Sequence, residues 1–322
     1  MSEKPSAINK AIQASEVNNN RDKLDIFLAM SELDQATNIK DYANKMSISV
    51  TDLRSIAKKQ HSNCDAEAEL PVIEEFEPYD QPVNGVALLN EITATLSRHV
   101  HLPQGAATAL SLWVMGTYTM DAWRLWPKLL ITSPEKRCGK STLLEALEGC
   151  VNKALLTSSI SPSAIFRCID EWHPTLMIDE ADTFAKDNDE LNGIINAGHT
   201  KRTARVIRSE KIGQTFKPKS FSVWSPQIIA GIGTQRDTLH DRSIHIEMER
   251  KLPDENIVKL QPDFFETMQL LRRKCLRWSE DNLGQLRSKI THVPSGTNDR
   301  AQDNWEPLFR IASVVGGDWP EK

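Results

Sequence analysis

The segment from Lys128 to Leu147, KLLITSPEKRCGKSTLLEAL, constrains the fold more than any other part of the chain. Its short apolar start predicts a buried strand, and its leucine-rich end predicts an amphipathic helix. Between them a Gly-Lys-Ser triplet stands where the helix begins. A strand that turns sharply into a helix offers backbone N–H groups and the positive end of the helix dipole to an anion. The segment therefore predicts a phosphate site in an α/β fold.

Each position of this loop predicts a contact with a nucleoside triphosphate. Gly139 lets the backbone approach phosphate, Lys140 reaches the terminal phosphates, and the Ser141 hydroxyl binds Mg²⁺. Pro134 replaces the usual first glycine, which mainly eases the turn, so the later amides stay available. The alternative is a chance Gly-Lys-Ser at a helix start. The predicted ATP-binding residues are Pro134, Glu135, Lys136, Arg137, Cys138, Gly139, Lys140, Ser141 and Thr142.

A second motif, TLMIDEAD, follows the loop after about 40 residues and supplies carboxylates. It is an apolar strand that ends in Asp179 and Glu180, and ligands of parallel α/β sheets bind at the carboxyl ends of strands. The motif resembles a Walker B motif. Asp179 is predicted to hold Mg²⁺, and Glu180 is predicted to orient and polarise the attacking water. We therefore predict an ATP-hydrolysing site rather than a passive nucleotide pocket.

Further apolar runs predict the rest of an α/β architecture. The segments KLLIT, TLMID, SPQIIAGIG and RSIHIEM are typical of strands, and the intervening sequence can form helices. Apolar residues at helical spacing from Val86 to Val100, and a second helix near Pro103, predict a helical preface. The expected fold is an α/β sandwich with a largely parallel sheet.

The composition limits the classes of protein to which the chain can belong. Of the 322 residues 39% are hydrophobic, which is enough for a buried core, and the net charge of −5 provides no global basic field for nucleic acid or membranes. The five cysteines are dispersed without a C-x-x-C pair, and the N-terminus has no apolar signal segment. The most apolar stretch, residues 106–120, is too short to span a membrane. These features predict a cytoplasmic protein with no membrane partner.

The chain divides by composition into three parts. Residues 1–62 predict a small helical segment, residues 63–84 an acidic linker and residues 85–322 the ATPase domain with its helical preface and a C-terminal helical part. The linker assignment rests on a run from 61 to 87 that contains seven acidic residues and neither lysine nor arginine.

Within the first part, IKDYANKMSISVTDLRSIAKK spaces its apolar residues as in a helix-turn-helix. These apolar positions are Ala43, Met46, Ile48, Leu53 and Ile56. The tight turn is predicted at residues 47–49, although Ser47 stands where the motif favours glycine. Two interpretations stay open: DNA reading by Thr51, Arg54 and Lys58, or a small helical bundle that docks a partner.

Five separated motifs together resemble a known family: SPEKRCGKSTLLEAL, ISPSAIFRCID, PTLMIDEADTF, GIINAGH and DNWEPLFRIASVVGGDWP. They resemble an uncharacterised P-loop ATPase family of phage, plasmid and mobile-element primase-helicase-like proteins, over about residues 85–322. That family is similar to the AAA+ and superfamily-3 helicase group. The resemblance implies a three-layer P-loop sandwich, ATP hydrolysis with Mg²⁺, and a homo-oligomeric ring whose neighbouring subunits share each ATP site.

The resemblance also implies arginine roles. Arg242 precedes a strand, as the arginine finger does in related ATPases, and is the first choice to reach a neighbour's γ-phosphate, with Arg250 in reserve. Pairing of Arg242 with a nearby acid is the alternative. Arg300 and Arg310 flank NWEPLF, where related proteins carry a sensor arginine that contacts ATP, and Arg310 is the chosen candidate. Thr234 is the nearest candidate for a polar sensor after QIIAGIG.

A basic run predicts what the ATPase acts on. Between residues 200 and 220 seven lysines and arginines face one acid, Glu210. We predict that Lys201, Arg202, Arg205 and Arg208 bind the backbone of a nucleic acid, most readily single-stranded DNA, as expected of a helicase or translocase of a mobile element. The alternative is that these residues form a solvated face or a contact between subunits.

A different class of function is an ATP-gated scaffold, for instance in phage defence, that recruits an effector. A phosphotransferase rests only on the shared loop.

Overall fold

The computed structural model describes residues 23–24, 27, 32–54, 73–181, 188–212, 215–233, 235–251, 256–289 and 298–322. It divides the chain into two compact units, Met1–Val72 and Ile73–Lys322. The predicted positions Ile56, Lys58 and Thr234 lie outside the described residues. In the part that is described, no helix is both long and apolar enough to cross a membrane.

The first unit is helical where it is described. Helix α1 spans Glu32–Met46, and a second helical stretch covers residues 50–54. Phe27, Ile39, Ala43, Met46 and Leu53 form its buried core. Of the predicted helix-turn-helix positions, Ala43, Met46 and Leu53 therefore lie inside this core, and Ile48 packs against it.

The second unit is built on a parallel sheet of five strands. The strands are β1 (Lys128–Ser133), β2 (Ala154–Thr157), β3 (Thr175–Ile178), β6 (Gln227–Ile232) and β7 (Ser243–Glu247), in the order β2-β3-β6-β1-β7. Every neighbouring pair runs parallel. β1, β3 and β6 are near-continuous apolar runs because they are buried on both faces, and β7 alternates apolar and polar residues, so these four strands could be predicted from the sequence. The short edge strand β2 was not predicted. The predicted largely parallel α/β sheet is confirmed.

Helices and an added hairpin complete the unit. The helices are α2 (Gly85–His99), α3 (Ala106–Thr117), α4 (Lys140–Glu148), α5 (Pro162–Trp172), α6 (Asp189–Ala197), α7 (Asp237–His240), α8 (Phe264–Ser288) and α9 (Asp299–Val315), with short 3₁₀ turns at Met120–Ala122 and Trp319–Glu321. Strands β4 (Arg205–Ile212) and β5 (Thr215–Ser222) form an antiparallel hairpin.

Side-chain caps fix where several helices begin. Asn84, Ser161, Asn188 and Asn298 each precede a helix and accept a hydrogen bond from the backbone N–H three residues later. Such caps satisfy N–H groups that have no partner within the helix. The start of α2 agrees with the helix predicted from Val86 to Val100, whereas α3 begins at Ala106, three residues after Pro103, which suggested its start.

Two hydrophobic cores cover the two faces of the sheet. On β1, Leu129 and Ile131 belong to one core and Leu130 to the other, as expected from the two-residue period of a strand. Helices α2, α3, α4, α8 and α9 contribute to the first core, and α5, α6 and the hairpin contribute to the second. Because each face of the sheet is covered, the unit has three layers.

The acidic segment is not wholly extended into solvent. From Ile73 onward it packs on the second unit: Glu75 pairs with Lys153 at 2.6 Å, and Glu74 pairs with Arg272 of α8 at 3.2 Å. The Arg272 guanidinium also lies 4.2 Å from the centroid of the Phe76 ring. The positive charges that balance this part of the predicted linker therefore come from distant positions in the chain.

Gly116 offers a test of the packing around α3. A Cβ at this position would lie 1.8 Å from the Trp126 ring, whereas a Cβ at Gly284 of α8 would meet nothing within 4 Å. We expect Gly116→Ala to lower the free energy of unfolding by about 1–3 kcal/mol or more. Gly284→Ala, a matched change in another helix, should raise it by about 0.5–1 kcal/mol because glycine disfavours helix. Urea unfolding measures both, and equal effects would contradict the packing described.

Candidate functional site

The loop between β1 and α4 has the backbone of an anion cradle. Arg137 (φ 69°) and Gly139 (φ 82°) both adopt left-handed conformations. Alternating right- and left-handed residues turn successive N–H groups toward one side, which forms a concave anion site. A Cβ on Gly139 would find no atom closer than 3.8 Å, so steric crowding is not the reason for a glycine here. Glycine is favoured because it adopts the positive φ angle without strain, and the space beside it is open to a ligand. The left-handed Arg137 is a strained residue of the kind that collects at functional sites.

Lys140 is held at the base of this loop. Its Nζ donates to the Ser133 hydroxyl at 2.5 Å, and that hydroxyl donates to the carbonyl of Glu135 at 2.6 Å. The Glu135 carboxylate pairs with Arg250 at 2.7 Å, and Arg250 also donates to the Lys136 carbonyl at 3.4 Å. The loop is thus braced from within by Lys140 and from outside by the chain that follows β7.

Asp179 and Glu180 stand at the carboxyl end of β3, at the same edge of the sheet. The Asp179 N–H donates to the Thr157 carbonyl at 2.9 Å, which extends the β2–β3 pairing by one residue. The Asp179 carboxylate accepts a hydrogen bond of 2.8 Å from the Glu180 N–H. Glu180 is exposed and has φ 54°, a second left-handed residue that is not glycine. Both carboxylates are therefore held outward beyond the end of the strand.

One cavity of about 800 Å³ gathers these elements. It is lined by the loop and helix residues Lys136, Arg137, Cys138, Gly139, Lys140, Ser141 and Thr142, by Asp179, Glu180, Gly231 and Ile232 at strand ends, and by His99, Val100, His101, Glu249, Lys251, Ile257 and Lys259. Pro134 and Glu135 are not among the lining residues, although Glu135 braces the loop through Arg250. The predicted phosphate loop and the predicted carboxylates thus meet in space.

The cavity suits a nucleoside triphosphate with a divalent cation. It has the volume of a small-molecule site. Its lining includes Lys140 and the loop amides, which could bind phosphate, and the side-chain oxygens of Ser141 and Asp179, which could bind Mg²⁺. Magnesium commonly takes only one or two protein oxygens because phosphates and waters complete its shell.

Sequence reasoning missed the other wall of the cavity. His99 and Val258 join the end of α2 to the chain after β7: the Val258 N–H donates to the Arg98 carbonyl at 3.0 Å, and His99 Nδ1 lies 2.7 Å from the Val258 carbonyl oxygen. Lys251 and Lys259 add two cations to the lining. These residues reach the loop only because β7 lies beside β1 in the sheet. No local sequence motif indicates this proximity.

Arg242 lies at the opposite edge of the sheet from the phosphate loop. Its carbonyl accepts a hydrogen bond of 2.9 Å from the N–H of Lys128, the first residue of β1, whereas the loop follows Ser133, the last. A strand of this length spans roughly 17 Å at about 3.3 Å per residue. Arg242 donates to the Thr238 carbonyl at 2.7 Å. It therefore cannot serve the cavity of its own subunit, and any catalytic role requires a neighbour.

Arg242 stands beside a buried lysine. The Lys128 side chain is 1% exposed, and its Nζ has no hydrogen-bond partner among the described residues. Burial, together with the nearby Arg242 charge, lowers the pKa of Lys128 to about 7. His199 lies close by, and burial lowers the pKa of its ring to about 4. Since His199 also bonds Asn304 at 2.9 Å, its contacts are structural and remote from the phosphate loop.

The structure places the two sensor candidates of α9 away from the cavity. Arg310 forms a close ion pair with Glu306, donates to the Leu286 carbonyl at 3.1 Å and lies 5.7 Å from the centroid of the Trp123 ring. Arg300 pairs with Asp241 at 2.7 Å, at the same edge as Arg242. Neither arginine lines the cavity.

The hairpin divides the basic run into two faces. Directly opposed residues of an antiparallel pair share a face. One face turns inward: Val206 and Phe221 are buried, Arg208 pairs with Glu190 at 2.6 Å, and Glu210 pairs with Arg167 of α5 at 3.1 Å. The other face is exposed and carries Arg205, Ile207, Ser209, Lys211, Phe216, Pro218 and Ser220.

The four predicted nucleic-acid residues therefore differ in setting. Arg205 lies on the outer face, whereas Arg208 is held by Glu190 on the inner one. Lys201 pairs with Asp121 at 3.4 Å, and Arg202 is exposed in the turn before the hairpin. Phe216, 71% exposed, is an outer-face residue that the charge pattern did not reveal.

Comparisons with known proteins reach only part of the chain. The family model described as "Protein of unknown function (DUF3631)" matches residues 247–322. A search of curated proteins finds no match. Among solved structures, the chain is similar to the apo A form of the NrS-1 C-terminal region, at 11% identity and a TM-score of 0.35, over 77% of this chain and 54% of that one. The chain thus spans about half the length of that structure, and a TM-score this low does not establish a shared fold. Similarity to a described family is limited to residues 247–322, the segment that supplies Glu249, Lys251 and Lys259 to the cavity.

Proposed function

We propose that the second unit is a P-loop ATPase that hydrolyses ATP with Mg²⁺. The observation that carries the proposal is the cavity in which a Gly-Lys-Ser loop faces Asp179 and Glu180. A loop alone would support nucleotide binding, and the carboxylates add the groups that hydrolysis needs. The test is release of phosphate from ATP by the purified chain, with and without Mg²⁺.

The roles of the side chains follow from their positions. The loop amides and Lys140 bind the phosphates, and the Lys140 ammonium leaves the Ser133 hydroxyl to do so. Glu180 orients a water for attack on the terminal phosphorus and accepts its proton, while the bond from that phosphorus to the bridging oxygen breaks and ADP leaves with that oxygen. Ser141 and Asp179 hold Mg²⁺, which when bound neutralises charge on the phosphate oxygens. Arg250 and Glu135 keep the loop in place against the chain after β7.

We place the ATPase with the AAA+ and superfamily-3 type, and we propose that it works as a ring. Its three layers, its parallel sheet and a hairpin between α6 and β6 support the first part. The ring accounts for the position of Arg242: if this arginine is catalytic, it can act only on the site of a neighbour, because it lies at the far edge of the sheet from its own. In a ring, the hairpins of all subunits are arranged around one central axis, and a substrate on that axis can contact each of them.

The outer face of the hairpin supports action on single-stranded nucleic acid. Arg205 and Lys211 offer charge to phosphates, and Phe216 offers an exposed ring on which a base can stack. Charge and an aromatic ring on one exposed face are the combination that sequence-tolerant single-strand binding uses. The proposed activity is that of a helicase or translocase of a mobile element, and DNA is the first substrate to test.

A variant of the outer face tests this interface. Replacing Arg205, Lys211 and Phe216 with alanine should weaken single-strand binding and flatten its salt dependence by about 1.4 in the log–log slope, since each lost phosphate contact contributes roughly 0.7. Loss of the stacked ring should cost about a further 1–3 kcal/mol. Fluorescence anisotropy at several salt concentrations measures both quantities.

Lys217→Ala is the control, because Lys217 is an exposed lysine of the same hairpin that stands opposite Glu210 and therefore belongs to the other face. It should change affinity far less than the outer-face variant. If the two variants behave alike, the hairpin does not bind strands through its outer face. If single strands also leave the rate of ATP hydrolysis unchanged, the ATP-gated scaffold becomes the better proposal.

A further inference from the structure

The turn after α1 has the geometry of a helix-turn-helix. Ser47 adopts φ 56°, the left-handed conformation that favours glycine. Its N–H donates to the Asn44 carbonyl at 3.1 Å, and the Ile48 N–H donates to the Ala43 carbonyl at 3.1 Å. Serine therefore takes the conformation that the motif usually assigns to glycine, and the departure in sequence does not alter the turn.

Ser49 fixes the start of the second helical stretch. Its hydroxyl oxygen accepts a hydrogen bond of 3.0 Å from the Asp52 N–H, and its O–H donates to the Asp52 carboxylate at 2.6 Å. The Leu53 N–H donates to the Ser49 carbonyl at 3.0 Å, which closes the first helical turn. Only residues 47–49 separate this stretch from α1, a connection of the length that the motif requires.

Buried side chains then decide which side of the second stretch is exposed. Ala43 is 1% exposed and Leu53 is not exposed, and both belong to the buried core of the unit. Thr51 and Arg54 lie on the opposite, exposed side. Among the described residues, the Arg54 side chain makes no ion pair. Both side chains are thus available to a partner.

We propose that the first unit binds duplex DNA in a sequence-dependent manner, with Thr51 and Arg54 on base edges in the major groove. In a helix-turn-helix the second helix enters that groove, and its first residues contact the bases. Arginine can bond the O6 and N7 atoms of guanine together, and the threonine methyl group can contact thymine. Exposed Lys40 of α1 is placed on the helix that crosses the backbone in this motif.

This binding is separate from the proposed ATPase. Duplex base reading uses side chains of residues 51–54, whereas the proposed single-strand interface uses the hairpin. The weak net charge of the chain gives little non-specific attraction, so contacts to base edges must provide the selectivity. A partner protein that docks on the same exposed side is the competing outcome.

The experiment uses the full chain and a library of randomised DNA duplexes. Selection should enrich one sequence class, and anisotropy with an enriched duplex should give the reference affinity. Arg54→Ala should weaken binding about 5- to 150-fold, the equivalent of about 1–3 kcal/mol, and relax the preference at one base pair. Arg54→Lys should keep most of the charge but lose that base preference, because lysine lacks the planar fork.

Arg287→Ala is the matched control: it removes an exposed arginine from α8 and should leave the duplex affinity unchanged. Circular dichroism and thermal unfolding show whether each variant retains its helices. Phosphate release from ATP is measured in Arg54→Ala beside the unaltered chain, and it should not change, which separates this proposal from the proposed ATPase. Absence of any enriched sequence, or equal effects of Arg54→Ala and Arg287→Ala, would overturn it.

Discussion

Lys140→Ala should weaken ATP binding by roughly 10- to 150-fold or more, because it removes a charge-assisted contact to the phosphates of about 1.5–3 kcal/mol. Glu180→Gln should keep ATP binding and lower hydrolysis by about 10²–10⁴-fold, the usual contribution of a positioned base. The amide has the shape of the carboxylate, so the left-handed backbone at residue 180 is not disturbed by a change of size. The two variants therefore separate binding from chemistry at one cavity.

Calorimetry with ATP and a phosphate-release assay measure the two effects. Lys274→Ala on α8 and Glu171→Gln on α5 are matched changes of charge away from the cavity, and both should behave like the unaltered chain. Hydrolysis at the normal rate in either Lys140→Ala or Glu180→Gln would remove the proposed site.

Arg242→Ala should bind ATP normally and hydrolyse it about 10³–10⁵-fold more slowly, the range by which arginine fingers accelerate phosphoryl transfer. The side chain lies at the edge of the sheet opposite the loop, so its loss cannot disturb phosphate binding in its own subunit. Arg287→Ala is again the charge-matched control. Steady-state phosphate release together with nucleotide affinity distinguishes this pattern from misfolding.

Mixing two inactive variants tests whether the arginine acts across an interface. Rings assembled from Arg242→Ala and Glu180→Gln subunits contain some sites where an intact glutamate faces an intact arginine. Activity should partly return at those sites. No recovery over a range of mixing ratios, or full activity in a strictly monomeric chain, would show that Arg242 is not shared between subunits.

The sequence could predict the parts of this molecule that depend on local pattern. Strands β1, β3 and β6 are short apolar runs because both faces of the sheet are buried there, whereas the edge strand β7 alternates apolar and polar residues because only one of its faces is buried. The loop motif is local as well, since its function depends on consecutive backbone groups. The helix-turn-helix spacing likewise placed Ala43 and Leu53 in a core.

Residues brought together by strand order could not be predicted in this way. Lys251 and Lys259 reach the cavity only because β7 lies beside β1. Arg310 looked available for ATP in the sequence, but Glu306, one helical turn before it, holds its guanidinium. The basic run showed charge but not the two-residue period of the hairpin, so it could not separate Arg205 from Arg208. Which strands and which charged side chains pair depends on the tertiary structure, and the amino-acid composition does not specify it.

The hairpin is anchored by its inner face to α5 and α6 through the Glu210–Arg167 and Arg208–Glu190 pairs. Its chain enters from α6, which follows Glu180, and leaves into β6, which ends at Gly231 and Ile232 of the cavity. If ATP alters the grip of the hairpin on a strand through these connections, thermodynamic linkage requires the strand to alter ATP affinity by the same factor. A coupling of about 1–3 kcal/mol would change both affinities about 5- to 150-fold. If the proposed ATPase binds strands through this anchored hairpin, a bound single strand is then an allosteric effector of nucleotide binding, with equal strength in both directions.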